Sequence, residues 1–189
     1  MSNEWGPLAA LVGEWENKGG EDGGLDVSFS HSRDQVWNTP YREKVTFKPF
    51  GPVENGSQVL YGLDYKTAMW RDDEENPFHT EVGYWLWDAA TGEILRGFVV
   101  PRGITVLAGG TTTADATTFT MTAGAEGSPY RIGENTYLVD NASTVSYEST
   151  ITIHEDGSWS YAEVTMLRMK EIEGLFAHTD QNHMVRSAG

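Results

Sequence analysis

The chain has 189 residues, 39% of them hydrophobic and 12% aromatic, which suits one domain with a core of ordinary size. Lys+Arg 13 against Asp+Glu 28 gives a formal net charge of -15, a field that repels phosphate backbones and anionic lipid surfaces and disfavours nucleic acid as a partner. With no Cys, thiolate catalysis, Cys-ligated zinc, iron–sulfur clusters and a disulfide framework are excluded as well, and a reducing compartment is the natural home.

The start, Met1-Ser2-Asn3-Glu4-Trp5, has no basic segment leading into an apolar one, so no signal peptide is expected. No apolar run approaches the roughly 18 residues of a membrane span. The expectation is a single cytoplasmic domain over residues 1–189. Trp5–Val12 can form one or two helical turns, with Pro7 suited to a first helical position. Gly19–Pro40 opens with Gly19, Gly20, Gly23 and Gly24 and reads as a long loop. Period-2 alternation then takes over. Tyr41, Glu43, Val45 and Phe47 fall on one side of a strand, with Arg42, Lys44, Thr46 and Lys48 on the other. Val59, Tyr61, Leu63 and Tyr65 alternate in the same way with Leu60, Gly62, Asp64 and Lys66. Further strands are predicted over Thr80–Asp88, Ile94–Val100, Ile104–Ala108, Thr117–Thr122, Val145–Ile153 and Trp159–Arg168, all rich in Val, Ile, Thr, Tyr and Trp. Asp88–Glu93 and His154–Ser158 are short hairpin loops whose glycines call for positive φ. Ala123–Ala142 reads as a second long loop.

Eight to ten antiparallel strands without a repeat, and without sustained 3.6 periodicity, make an all-β fold, either a sandwich or an up-and-down barrel. In Thr80–Asp88 both faces are aromatic or apolar: Tyr84 and Leu86 on one, Trp85 and Trp87 on the other. A small barrel with a lined interior and a partly covered outside gives this pattern, so a closed barrel of about ten strands is the expectation. On that strand His79 shares its face with Glu81, Gly83, Trp85 and Trp87, and a buried Glu81 would need a charged or hydrogen-bonded partner.

Chemistry-bearing motifs are few. No Gly-x-Ser-x-Gly elbow is present, and Gly19–Gly24 carries acid and leads into Leu25-Asp26-Val27, which repels phosphate. No spacing singles out a carboxylate pair for glycoside hydrolysis among the 28 acids. Of five histidines, His31 and His154 sit in polar turns and are expected in solvent, His79 opens the aromatic strand, and His178 follows the apolar Gly174-Leu175-Phe176-Ala177. A zinc site from His178, Asp180 and His183 matches no i, i+4 pair. Arg42, Arg96 and Arg102 read as surface charges, any of which could pair with the carboxylate of a ligand. The residues by themselves describe a small-molecule barrel and do not name its ligand.

Four blocks in order carry a resemblance. Gly13-Glu14-Trp15 resembles the opening Gly-x-Trp-x-Gly-x-Gly of the nitrobindin family, with Asn17 in place of one glycine and Gly19 kept. His79-Thr80-Glu81-Val82-Gly83-Tyr84, inside Pro77–Asp88, resembles the family's His-x-Glu-x-Gly-Tyr strand. Pro101–Gly110 and Phe176–Asn182 resemble a bacterial branch, and the likeness runs from about Gly6 to Arg186. The resemblance implies a ten-stranded fatty-acid-binding-protein-like barrel with haem b at its mouth, nitric oxide as a ligand, and, in ferric members, isomerisation of peroxynitrite to nitrate. Leu175-Phe176-Ala177-His178 matches the family's Leu-x-x-His string, so the iron-ligand role falls on His178 and the distal position on His79. Trp15, Phe78 and Phe176, which lie in the matched blocks, are expected against the cofactor. The other ring nitrogen of His178 is expected to donate to a carbonyl, a carboxylate or water. The competing arrangement has His183 facing the cavity. The implied partners are small molecules, with neither nucleic acid nor membrane, and a homodimer stays open. The alternative function is carriage of a fatty acid or another apolar ligand without haem.

Overall fold

The computed structural model of the chain describes residues 3–18, 23–71 and 74–187. It contains twelve strands, β1 (Gly13–Asn17), β2 (Gly24–Ser30), β3 (Gln35–Asn55), β4 (Gln58–Arg71), β5 (His79–Asp88), β6 (Glu93–Val100), β7 (Ile104–Thr111), β8 (Thr118–Ala123), β9 (Ile132–Glu134), β10 (Ala142–Ile153), β11 (Trp159–Met169) and β12 (Phe176–Arg186). All pairings are antiparallel. Strands β3 to β8 and then β10 to β12 follow one another around the sheet. Both β1 and β2 lie between β12 and β3, end to end, and so close the sheet. Counting β1 and β2 as one interrupted position and setting aside β9, which flanks β7, the barrel has ten positions. The expected closed antiparallel barrel is what the chain forms.

Period-2 burial sets what points inward. Tyr41, Glu43, Val45 and Phe47 are buried while Arg42, Lys44 and Lys48 are exposed. On β5, Glu81, Trp85 and Trp87 are buried, whereas Val82 and Tyr84 on the opposite face are 51% and 54% exposed. A 3-10 helix over Asn3–Leu11 closes one end of the barrel. It breaks at Gly6 (φ 49) and restarts at Pro7, whose fixed φ suits a first helical residue. A Cβ at Gly6 would stand 2.5 Å from Trp87 Nε1, so only glycine lets this turn settle on the indole. Leu8 and Leu11 are fully buried, and Trp15 Nε1 donates to the Leu11 carbonyl at 2.7 Å.

Two expectations change. Gly19–Pro40 is not a long loop: Gly24–Ser30 and Gln35–Pro40 are paired strand, with Gly24 opposite Tyr41 and Ser30 opposite Gln35, while Gly19 and Gly20 lie outside the described residues. The inward positions of β2 are Gly24, Asp26 and Ser28, and its apolar residues, Leu25, Val27 and Phe29, take the alternate positions, so the period of two is present behind a glycine-rich start that reads as loop. Ala123–Ala142 carries β9 and a short helix, α1 (Thr136–Asn141), with Asn135 Oδ1 accepting from the Leu138 amide at 3.0 Å. Six residues are too few to show a helical period. The hairpin glycines stand as expected, Gly92 at φ 72 and Gly157 at φ 81.

Candidate functional site

Opposite the N-terminal plug the barrel opens into a cavity of about 480 Å³. This lies within the ~300–1,000 Å³ of small-molecule sites. Phe98, Val100, Val106, Leu138, Leu167 and Met169 supply apolar wall, and His31, Arg71 and Arg102 stand at the exposed rim. His79, His178, Phe78 and Phe176 all line this cavity, brought together from β5, β12 and the approach to β5. Trp15 does not. Its indole is buried at the plugged end, edge-on to Trp159 at 6.1 Å, because its inward position on β1 lies beside the helix and not at the mouth.

The floor is polar, and Arg96 is its centre. The guanidinium was expected on the surface, but alternation on β6 turns it inward and leaves it 4% exposed. Arg96 Nη2 donates to Glu81 Oε2 at 2.7 Å and Nη1 to Glu163 Oε1, and Tyr65 donates to Glu81 Oε2 at 2.8 Å. Tyr147 and Ser149 donate to Glu163 Oε1 at 2.8 and 2.9 Å. Glu81 therefore has the charged partner that its burial requires. Arg42 is exposed, its guanidinium 5.6 Å from the Trp70 ring, and Arg102 is exposed at the mouth.

Behind this network lies a second. Glu43 accepts from Thr67, Tyr161 and Asn182 at 2.6, 2.7 and 2.8 Å. The Tyr41 hydroxyl lies 2.7 Å from that of Tyr161 and donates to Asp180 Oδ1 at 2.5 Å. Burial pushes the Glu43 carboxyl up despite those donors, and burial together with Glu163 and Glu43 pushes Asp180 well up. Burial pushes Glu81 up too, but Arg96 and His79 outweigh it and hold Glu81 down to about 2. Burial lowers His79, yet Glu81, with its Oε1 3.1 Å from His79 Nε2, outweighs burial and raises it.

These directions fix a pH optimum for the ligand-free chain. Raised Glu43, Asp180 and His79 give stability that is complete below their unfolded values and is lost as pH rises through the folded ones. Depressed Glu81 gives stability that is complete above its ordinary 4.5 and is lost as pH falls toward about 2. Asp180 and Glu43 begin to lose their contribution once pH passes their ordinary 3.8 and 4.5, so thermal unfolding midpoints should peak near those two values and fall on both sides. A midpoint that climbs steadily from pH 5 to pH 8 would contradict this assignment.

His178 occupies an inward position of β12, with its side chain 33% exposed, and its Nε2 donates to Asp26 Oδ1 at 2.5 Å. The expected second partner is thus a carboxylate, on a segment that the sequence presented as loop. His183, an odd step along β12, points outward: it bonds Ser158 Oγ at 2.7 Å, and its ring stacks on His154 at 4.8 Å. His154 is half-buried there, 2.9 Å from Ser160 Oγ, and not in open solvent, whereas His31 is exposed at the cavity rim. His178 and Asp180 face in and His183 faces out, so the zinc trio does not converge. Among the described residues no group of three or more metal-ligating side chains is assembled.

The match at the head of β5 has a physical reading, residue by residue. His79 faces the cavity, Glu81 joins His79 to Arg96, and Gly83 lets β6 approach. A Cβ at Gly83 would stand 1.9 Å from the Gly97 carbonyl oxygen.

For the metal-bearing group that the resemblance implies, the donor set fits. An imidazole projects into a cavity with an apolar wall and a polar floor, with one ring nitrogen fixed by a carboxylate and the other, Nδ1, left over. Among solved structures the chain is similar to Rv2717c from M. tuberculosis, with TM-score 0.65 and 19% sequence identity over 100% of this chain and 99% of that one. That likeness bears on the fold. No functionally curated protein matches the chain. The model of one family, described as "THAP4-like, heme-binding beta-barrel domain", matches residues 4–186. Nearly the whole barrel, both inward histidines included, falls within that match, and the chain belongs to this family of haem-binding barrels, the nitrobindin family that its motifs resemble.

Proposed function

We propose that the cavity takes haem b with His178 as the iron ligand, that the loaded protein binds nitric oxide, and that in the ferric state it isomerises peroxynitrite to nitrate. The observation that carries this reading is the imidazole of His178, set in the cavity beside its apolar wall with its Nε2 held by Asp26. Membership of a haem-binding family supports it. When bound, the haem would supply iron with an open coordination position for a diatomic or small anionic ligand.

The chain's own residues do the rest. His178 holds the iron, and Asp26 fixes the ring. Phe78 and Phe176 present aromatic surface to a flat apolar ligand and keep water from it. His79, raised by Glu81, keeps a proton on both nitrogens to higher pH than a free imidazole. Its Nε2 is committed to Glu81, which leaves Nδ1–H to donate to a bound anion or to a propionate. The carrier alternative requires an unsatisfied cation for a fatty-acid carboxylate. The interior candidate, Arg96, already serves Glu81 and Glu163.

Hemin titrations followed at the Soret band test the ligand. His178→Ala should lose at least about 100-fold in hemin affinity, while His183→Ala, altered on the outer wall, should titrate like the wild type. The reverse order would move the ligand to His183, and two unchanged titrations would end haem ligation by β12. Nitrate yield from peroxynitrite mixed with the hemin-loaded wild type tests the reaction: a yield equal to that of the hemin-free protein would remove the isomerase activity.

A further inference from the structure

We propose that Asp26 is a positioning residue for the iron ligand: its carboxylate holds His178 by Nε2, makes the imidazole a more electron-rich donor, and so keeps the metal ferric. The inference rests on His178 as ligand and goes one step beyond it, because it selects between the two activities. A site biased to the ferric state favours peroxynitrite isomerisation over ferrous storage of nitric oxide.

The geometry comes from the register of β2 against β12. Val27 lies opposite Thr179 and Asp26 opposite Asp180, so Asp26 is the diagonal neighbour of His178 on the inner wall. At that separation a short carboxylate meets a long ring. The contact is 2.5 Å, and Ser28 Oγ donates to the other oxygen, Asp26 Oδ2, at 2.8 Å. Both oxygens are thus engaged and the carboxylate cannot swing away. Asp26 is 7% exposed, so water screens its charge poorly. The contact depends on β2 being a strand.

The chemistry follows from charge. A ring N–H that donates to a buried carboxylate pushes negative charge onto the imidazole, and the remaining nitrogen, Nδ1, becomes the stronger donor. Iron carries one more positive charge when ferric than when ferrous, so a nearby anion and a more basic ligand stabilise the ferric state. Orientation is the second effect. A ring pinned at Nε2 offers Nδ1 in one direction, and less freedom is lost on ligation.

Spectroelectrochemistry of hemin-loaded wild type, Asp26→Asn and Asp26→Glu tests this. Asparagine keeps the shape and removes the charge. At a fixed applied potential its ferrous-to-ferric ratio should rise at least tenfold, a midpoint shift of about 59 mV for one electron. Asp26→Glu should return most of that shift. An Asp26→Asn protein that keeps its Soret band and its wild-type midpoint would overturn the proposal. So would an Asp26→Asn protein that binds hemin more tightly, since Asp26 and iron would then compete for one nitrogen. Should the variants fold poorly, the wild type decides alone. Its ferrous iron–histidine stretch in resonance Raman should lie above that of a haem protein whose ligand donates to a backbone carbonyl, and a value at the carbonyl-bonded level would overturn the proposal. If hemin affinity proves independent of His178, the ligand assignment falls first, by its own titration.

Discussion

Arg96→Met should cost the folded chain about 3–5 kcal/mol. One guanidinium, 4% exposed, is shared by Glu81 and Glu163, and Tyr65 and Tyr147 complete the cluster around it. Methionine fills much of the volume and packs against the same rings, so the loss is electrostatic. Glu163 would be left in the barrel without a counter-charge and Glu81 with His79 alone, and the carboxyls would answer by taking up protons. For a chain of this size that cost corresponds to a fall of roughly 10 °C in the unfolding midpoint. Urea unfolding at pH 7 and at pH 4.5 separates charge from packing. The deficit should shrink at the lower pH, and adding Glu81→Gln and Glu163→Gln to Arg96→Met should recover much of it. A deficit under about 1 kcal/mol at pH 7 would mean that Arg96 does not hold the floor together.

Gly83→Ala is expected to be as severe, on the order of 3 kcal/mol, for a steric reason. The added methyl would meet the Gly97 carbonyl oxygen at 1.9 Å and Phe98 Cα at 2.7 Å. Both belong to the β6 backbone, so no side chain can turn aside to make room. β5 and β6 would have to part where Tyr84 pairs with Gly97 and Trp85 with Arg96. The Glu81–Arg96 contact spans the same two strands. The variant should therefore lose part of the Arg96 cluster as well, and its deficit should add less than fully to that of Arg96→Met. Unfolding curves of both single variants and the double variant measure that coupling. Full additivity, or a Gly83→Ala protein as stable as the wild type, would show that the two strands yield there at little cost.

The contrast between β3 and β2 explains what was legible. Tyr41 to Phe47 alternate large inward residues with charged outward ones, so the strand and its faces are written in the composition. β2 puts Gly24, Asp26 and Ser28 inward, where they meet Tyr41 and His178, and its apolar period, Leu25, Val27 and Phe29, falls on the alternate positions just after a run of glycines that reads as loop. Its partner, the start of β3, holds Val36 and Trp37 exposed beyond the barrel wall and ends at Pro40, which likewise reads as loop. The same reasoning covers the site. His79, Phe78 and Phe176 line the cavity, as the matched blocks led one to expect, and for His79 the alternation of β5 agrees. Asp26 was missed because it lies 152 residues from His178 and no local pattern joins the two. Arg96 was misplaced because an isolated charge between apolar neighbours looks like the outward half of a strand. Its true direction shows only when Glu81, also inward, asks for a partner. Trp15 was drawn toward the cofactor by its block, although that block serves the helix end of the barrel.

The helix that stops one end of the barrel has a kinetic consequence. With Leu8, Leu11, Trp15, Trp85 and Trp87 packed solid behind the polar floor, the cavity is a dead end, and whatever enters must leave by the opening it came through. Two fragments formed together inside such a pocket collide with its walls, and with each other, many times before either finds the opening. Return then outruns escape. A reaction whose product is the recombined pair gains from this confinement, and one that must release a fragment is held back by it, whatever the affinity of the walls for either.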